Sequence, residues 1–239
     1  MAKDKRRMAQ NRARKKARAA ARKKRAKQQS GGGGRFAHMG CTRGELERSP
    51  VRAAYVGDSV FTQGIGHVII ARKLPDGRIA AGVFLVDIYC LGVKNAFLMV
   101  QSSLEFEETI ATRFDANDLK PVEPAYARKL VDDSIAYPRD LGFEPHSDFR
   151  DASVVLGDID PGECSEEFTF GHEGKPFYIS GPNHSEAMIR RIVAHLKNRC
   201  GPDGFNYMVG IGDSSVAESF GPDAHVIEED GEKRVGNVE

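Results

Sequence analysis

Tryptophan is absent from this chain, cysteine occurs only four times, and no apolar run is long enough to cross a bilayer. Each shortage closes off a class of protein. Cys41, Cys90, Cys164 and Cys200 are widely spaced and form no C-x-x-C pair, so neither a zinc ribbon nor a dense disulfide framework is indicated. With no apolar targeting stretch near the N-terminus, free thiols in a reducing, cytoplasmic compartment are the expectation. Within the most apolar stretch, residues 79–100, the apolar run over 79–93 falls short of the roughly 20 residues a membrane helix needs and is interrupted by Asp87, so no membrane partner is expected. The familiar catalytic signatures are missing as well: there is no G-x-S-x-G, no H-E-x-x-H and no phosphate-binding loop. Residues 171–175 (GHEGK) lack the spacing and the hydroxyl such a loop requires, and Gly64-Ile65-Gly66 leads into a strand pattern rather than a helix.

Charge is present in quantity but unevenly placed. Residues 1–30 hold 14 of the 35 basic side chains and one of the 34 acidic ones, a net +13, while the remaining 21 basic and 33 acidic residues give −12. The formal net charge of +1 therefore averages two opposites. The basic segment has no proline, glycine or aromatic residue and cannot contribute to a core, so a disordered arm is expected there. Its cations, Arg6, Arg7, Arg12, Arg14, Lys15, Lys16, Arg18, Arg22, Lys23, Lys24, Arg25 and Lys27, suit the phosphates of RNA or of the ribosome. Without aromatics to stack on bases, such contacts carry little sequence choice. Four glycines at 31–34 make a hinge. The division that follows is a basic arm and hinge over 1–34, a linker over 35–50, one globular domain over 51–220 and an unstructured acidic tail over 221–239.

Within the domain, residues 68–74 and 79–90 are apolar runs joined by Pro75-Asp76-Gly77, a turn in which proline presets φ and glycine accepts a positive one. Residues 94–100 read as a third strand of an antiparallel meander. Residues 52–61 fit a strand or a short helix equally, and 105–113 are ambiguous. Pro124 and the stripe Ala127, Leu130, Val131 and Ile135 predict a helix that Pro138 and Gly142 end. Residues 168–170 and 176–180 read as a second hairpin. Ser185 caps a further helix through Lys197, and 204–211 read as a final strand. The fold class is α+β: a mostly antiparallel sheet of five or six strands with two main helices on one face.

The runs GVFLVDIYCLGVK (82–94), LGFEPH (141–146) and GKPFYISGP (174–182) resemble a family of uncharacterised bacterial proteins over roughly residues 50–210. The resemblance implies a bacterial domain and a cytoplasmic rather than nuclear setting, and brings no activity or site residues with it.

Asp87 is the one carboxylate in the central apolar run. A carboxylate there either anchors structure by pairing with Lys94 or Arg72, or marks a site. Asp87, Asp158 and Asp160, with His146 and Asp148 in a loop, have the residue types that hold magnesium or manganese for phosphodiester hydrolysis, and in such a site Asp87 and His146 are the expected catalytic residues. Turn hydrogen bonding is the plainer role for Asp158 and Asp160. Three readings of function follow: an RNA- or ribosome-associated binding protein that requires no cofactor, a metal-dependent nuclease or phosphohydrolase, and an adaptor whose acidic body binds a protein.

Overall fold

The computed structural model describes residue 36 and residues 38–114, 117–210, 225–229 and 232–236. The chain divides into two compact units, residues 1–45 and 46–239. A short helix, α1 (Arg43–Arg48), runs through the stretch expected to be linker, and its Leu46 is fully buried.

The meander forms as its turn residues demand. Strands β1 (Val51–Gly57), β2 (Ile65–Lys73), β3 (Ile79–Asp87), β4 (Gly92–Gln101) and β5 (Leu119–Pro121) make a five-stranded sheet in the order β4-β3-β2-β1-β5, and every pairing is antiparallel. The α+β class is borne out. Residues 52–61 turn out to be both things their composition allowed: β1, then a single helical turn, α2 (Ser59–Thr62).

Both faces of this sheet are covered, which explains why its central strands read as unbroken apolar runs rather than alternating ones. Side chains alternate along a strand, so even-numbered Val68, Ile70, Phe84 and Val86 share one face, where they pack with Ala127, Leu130, Val131 and Ile135 of α4 (Pro124–Asp140). Odd-numbered Ile69, Ala71, Ile79, Ala81 and Val83 share the other, against Phe106 of α3 (Ser103–Arg113). The ambiguous segment 105–113 is thus a helix, and its start is set by a capping box in which Ser102 and Glu105 satisfy each other's backbone N–H groups.

After α4, a short helix α5 (Phe149–Ala152) and a 3₁₀ turn (Ser153–Leu156) return the chain to the first face. The expected hairpin of 168–170 with 176–180 does not form. Strand β6 (Phe177–Ile179) instead pairs in parallel with β7 (Asn206–Gly210), the two linked by α6 (Glu186–Cys200). A parallel pair needs a crossover of a dozen or more residues, and the helix that starts at the Ser185 cap supplies it. Ile189, Ile192, Val193 and Leu196 of α6 pack with Cys90, Tyr178, Phe205, Tyr207 and Val209 in a third core cluster. The segment read as an unstructured acidic tail contains two strands, β8 (His225–Glu229) and β9 (Glu232–Gly236), which complete a second sheet in the order β6-β7-β9-β8. Val226, Ile227 and Val235 are their only aliphatic residues, too few to stand out against the overall acidity.

Candidate functional site

Asp87 is the last residue of β3, and the chain turns tightly from it to Gly92, its partner across the ladder. Its Oδ1 accepts hydrogen bonds from the backbone N–H groups of Tyr89 at 3.0 Å and Cys90 at 2.9 Å. The carboxylate is therefore a turn former, a role open to aspartate because its short side chain reaches N–H groups two and three residues on. Gly92 closes the turn with a φ of +66°, and a Cβ there would lie 2.0 Å from the Ser134 carbonyl oxygen of α4. Pro138, inside α4, has no N–H to give that carbonyl, so the helix has an open spot at the place where the turn abuts it.

Lys94 is the partner that Asp87 finds. Ladder pairing between β3 and β4 shifts from Leu85–Asn95 to Val86–Val93, which leaves Lys94 as the extra residue of a bulge. Bulges redirect side chains, and here the Lys94 Nζ comes to 3.7 Å from Asp87 Oδ2, with both side chains largely buried. Burial pushes the Asp87 carboxyl above its ordinary range, while the Lys94 ammonium and the N–H groups of Cys90, Leu91 and Tyr89 pull the other way. The pair extends into a wider polar group. Tyr178 OH and His184 Nδ1 are 2.7 Å apart with their rings stacked, and burial, followed by the charge of Lys94, holds His184 below the usual histidine value. The Cys90 thiol is raised by burial first and by Asp87 second, which disfavours its thiolate form.

The other carboxylates serve elsewhere. Arg72 of β2 is 1% exposed and anchors three backbone carbonyls: Nε donates to Val155 at 2.6 Å, Nη1 to Ser49 at 2.5 Å and Nη2 to Leu156 at 3.1 Å. Nη2 also donates to Asp158 Oδ1 at 2.8 Å, and that hydrogen bond holds the Asp158 carboxyl below its usual range. Asp160 caps the 3₁₀ turn Pro161–Glu163, accepting from the Gly162 N–H at 2.8 Å. His146 Nδ1 accepts from the Asp148 N–H at 3.3 Å in an exposed loop. Asp158 and Asp160 share an open cleft of about 470 Å³ with Glu123 and Glu163, and Asp87 is not among its walls. Among the described residues, no group of three or more His, Cys, Asp or Glu side chains is placed to hold a metal ion.

Spacing along the sequence thus identified the residue types but not their gathering. Asp87, Asp158, Asp160 and His146 each serve a different turn or ion pair. Arg72 and the Tyr178–His184 pair were not singled out for these roles: a single arginine in a strand carries no pattern, and 178 and 184 are joined by a loop whose path the residues do not announce. The cations of residues 1–30 lie outside the described residues. Among the described residues no helix is long and apolar enough to cross a membrane. Compared with known protein families, with curated proteins and with solved structures, the chain finds no match, so its function has to be read from its own residues.

Proposed function

We propose that this chain is an RNA- or ribosome-associated binding protein that contacts phosphate backbones through residues 1–30. One observation carries the reading: a net +13 over residues 1–30, set against −12 over the rest. A body of that sign repels polyanions, so attraction to nucleic acid concentrates in the basic segment. Arginine and lysine without aromatics suit the backbone rather than the bases. Binding needs no cofactor. The metal-dependent hydrolase has less support, because the carboxylate it would rely on, Asp87, already holds Lys94 and two backbone N–H groups.

The test is RNA binding and ribosome co-sedimentation by the full chain across a salt series. If about six cations meet phosphates, affinity drops on the order of a thousandfold between about 50 and 200 mM salt. Deleting residues 1–30 abolishes the association, and undiminished binding by the deleted form would refute the reading. Incubation of the full chain with single- and double-stranded RNA and DNA plus magnesium or manganese is expected to leave them intact.

A further inference from the structure

A groove of about 440 Å³ opens beside the β3–β4 turn, on the first face of the large sheet, and nothing described so far uses it. Its walls are aromatic: Phe61, Tyr89, Tyr126, Phe168 and His172. The rings form two groups: Phe61 stacks on Phe168 at 6.1 Å and Tyr126 meets Phe168 edge to face at 5.0 Å, while His172 meets Tyr89 at 5.1 Å. Phe61 is 44% exposed, which is high for a phenylalanine in a packed domain. Three carboxylates, Glu166, Glu167 and Glu173, line the same groove. None of the three forms an ion pair within 4.0 Å among the described residues, and Glu167 acts on the Lys129 ammonium only at longer range.

Two further details point to the occupant. Lys129 already places its Nζ 5.1 Å from the centroid of the Phe168 ring, so one wall of the groove binds an ammonium through its ring face within the protein itself. Glu173 stands at φ +52° in the turn 172–175, the only residue besides glycine with positive φ among those described, at a position where glycine or asparagine is the low-cost choice. That backbone is unfavourable by about 1 kcal/mol or more for a glutamate. Ring faces and unpaired carboxylates together attract a cation and repel a phosphate, so this surface cannot be a second platform for nucleic-acid bases.

We infer that the Phe61–Tyr126–Phe168 groove, with Glu166, Glu167 and Glu173, is a docking site for a lysine- or arginine-rich segment of a partner protein. The inference is independent of the phosphate-binding reading. It gives the acidic body a partner of its own: the arginine or lysine stem lies over the rings and its charge meets the carboxylates.

The experiment is fluorescence anisotropy with a labelled hexa-arginine peptide and the full chain, at low salt and at about 150 mM. Glu166→Gln/Glu167→Gln is expected to weaken binding about tenfold or more. The matched variant Glu107→Gln/Glu108→Gln, exposed residues on α3, is expected to change it less than about threefold. Phe168→Ala removes the ring that three partners share and is expected to weaken binding at least about fivefold, with circular dichroism confirming that the variant is folded. Equal loss in both glutamine pairs would reduce the effect to net charge and overturn the proposal. So would peptide binding that appears only after residues 1–30 are deleted, since the chain's own cations would then be the occupant. Loss of RNA binding in Glu166→Gln/Glu167→Gln would likewise overturn it. Failure of peptide binding leaves the salt-dependent RNA association standing, so the two readings fail separately.

Discussion

Lys94 is the unpaired residue of the β3–β4 ladder, and that position lets its Nζ approach to 3.7 Å from Asp87 Oδ2. Neither partner is stable there alone. Lys94→Met leaves a buried carboxylate held only by backbone N–H groups, and Asp87→Asn leaves a buried ammonium; each is expected to lower unfolding free energy by about 3 kcal/mol. The double variant should recover most of that loss. Urea unfolding of the four proteins at neutral pH gives the coupling, and additive losses would mean that the two side chains do not depend on each other. Because burial raises the folded-state value of Asp87 above its unfolded one, the stability linked to protonating it is fully present below the unfolded value and fades as pH rises. Lys94→Met should therefore be most costly at neutral pH and less so in acid.

Arg72 and Asp158 form a lopsided pair, with 1% and 74% of their side chains exposed. Losing the arginine strands the carbonyls of Ser49, Val155 and Leu156 in the interior, so Arg72→Met is expected to cost about 3–5 kcal/mol. Asp158→Asn, at the solvent end, should stay within about 1 kcal/mol of the parent. Comparable losses in the two variants, measured by thermal and urea unfolding, would show that the ion pair rather than the carbonyl anchoring carries the stability.

Two turn glycines separate backbone strain from steric exclusion. Gly77 has φ +86° and nothing within 4 Å of where a Cβ would stand, whereas Gly92 has φ +66° and the Ser134 carbonyl at 2.0 Å. Gly77→Ala is expected to cost about 1 kcal/mol, from the left-handed backbone alone. Gly92→Ala should cost clearly more, at least about 3 kcal/mol, because helix α4 has to move. Equal losses would mean that the β3–β4 turn yields without disturbing α4.

His67, in β2 against the Phe114 ring, is held below the usual histidine value by burial, an effect that Asp118 partly offsets. His184 is lowered in the same direction. In both cases the unfolded state takes up a proton more readily than the folded one, so this stability is complete above the ordinary histidine value of 6.5 and is lost as pH falls below it. The thermal midpoint should drop between about pH 7.5 and pH 5.5. The drop should be smaller in His67→Leu, and an unchanged pH profile in that variant would exclude His67 as its source.

The large sheet was legible because its signals are local: the P-D-G turn fixes the β2–β3 hairpin, and runs such as 79–86 call for cover on both faces. Helices α4 and α6 announced themselves through Pro124, Ser185 and their apolar stripes. What escaped notice depends on distant partners. Residues 176–180 look the same whether they pair with 168–170 or, across a helix, with 206–208, and the parallel choice follows from packing α6 onto Tyr178 and Tyr207. A bulge that selects Lys94 over Arg72 as the companion of Asp87 leaves no mark in composition. The aromatic groove is assembled from five stretches between residues 61 and 173, each of which looks ordinary by itself.

The turn at 87–92 also joins two of the three interiors. Ile88 belongs to the cluster beneath α4 and Cys90, two residues later, to the cluster around α6, while Tyr89 between them lines the aromatic groove. Three consecutive residues thus act as a rivet between these interiors, so that loosening either one pulls on the groove wall that Tyr89 supplies.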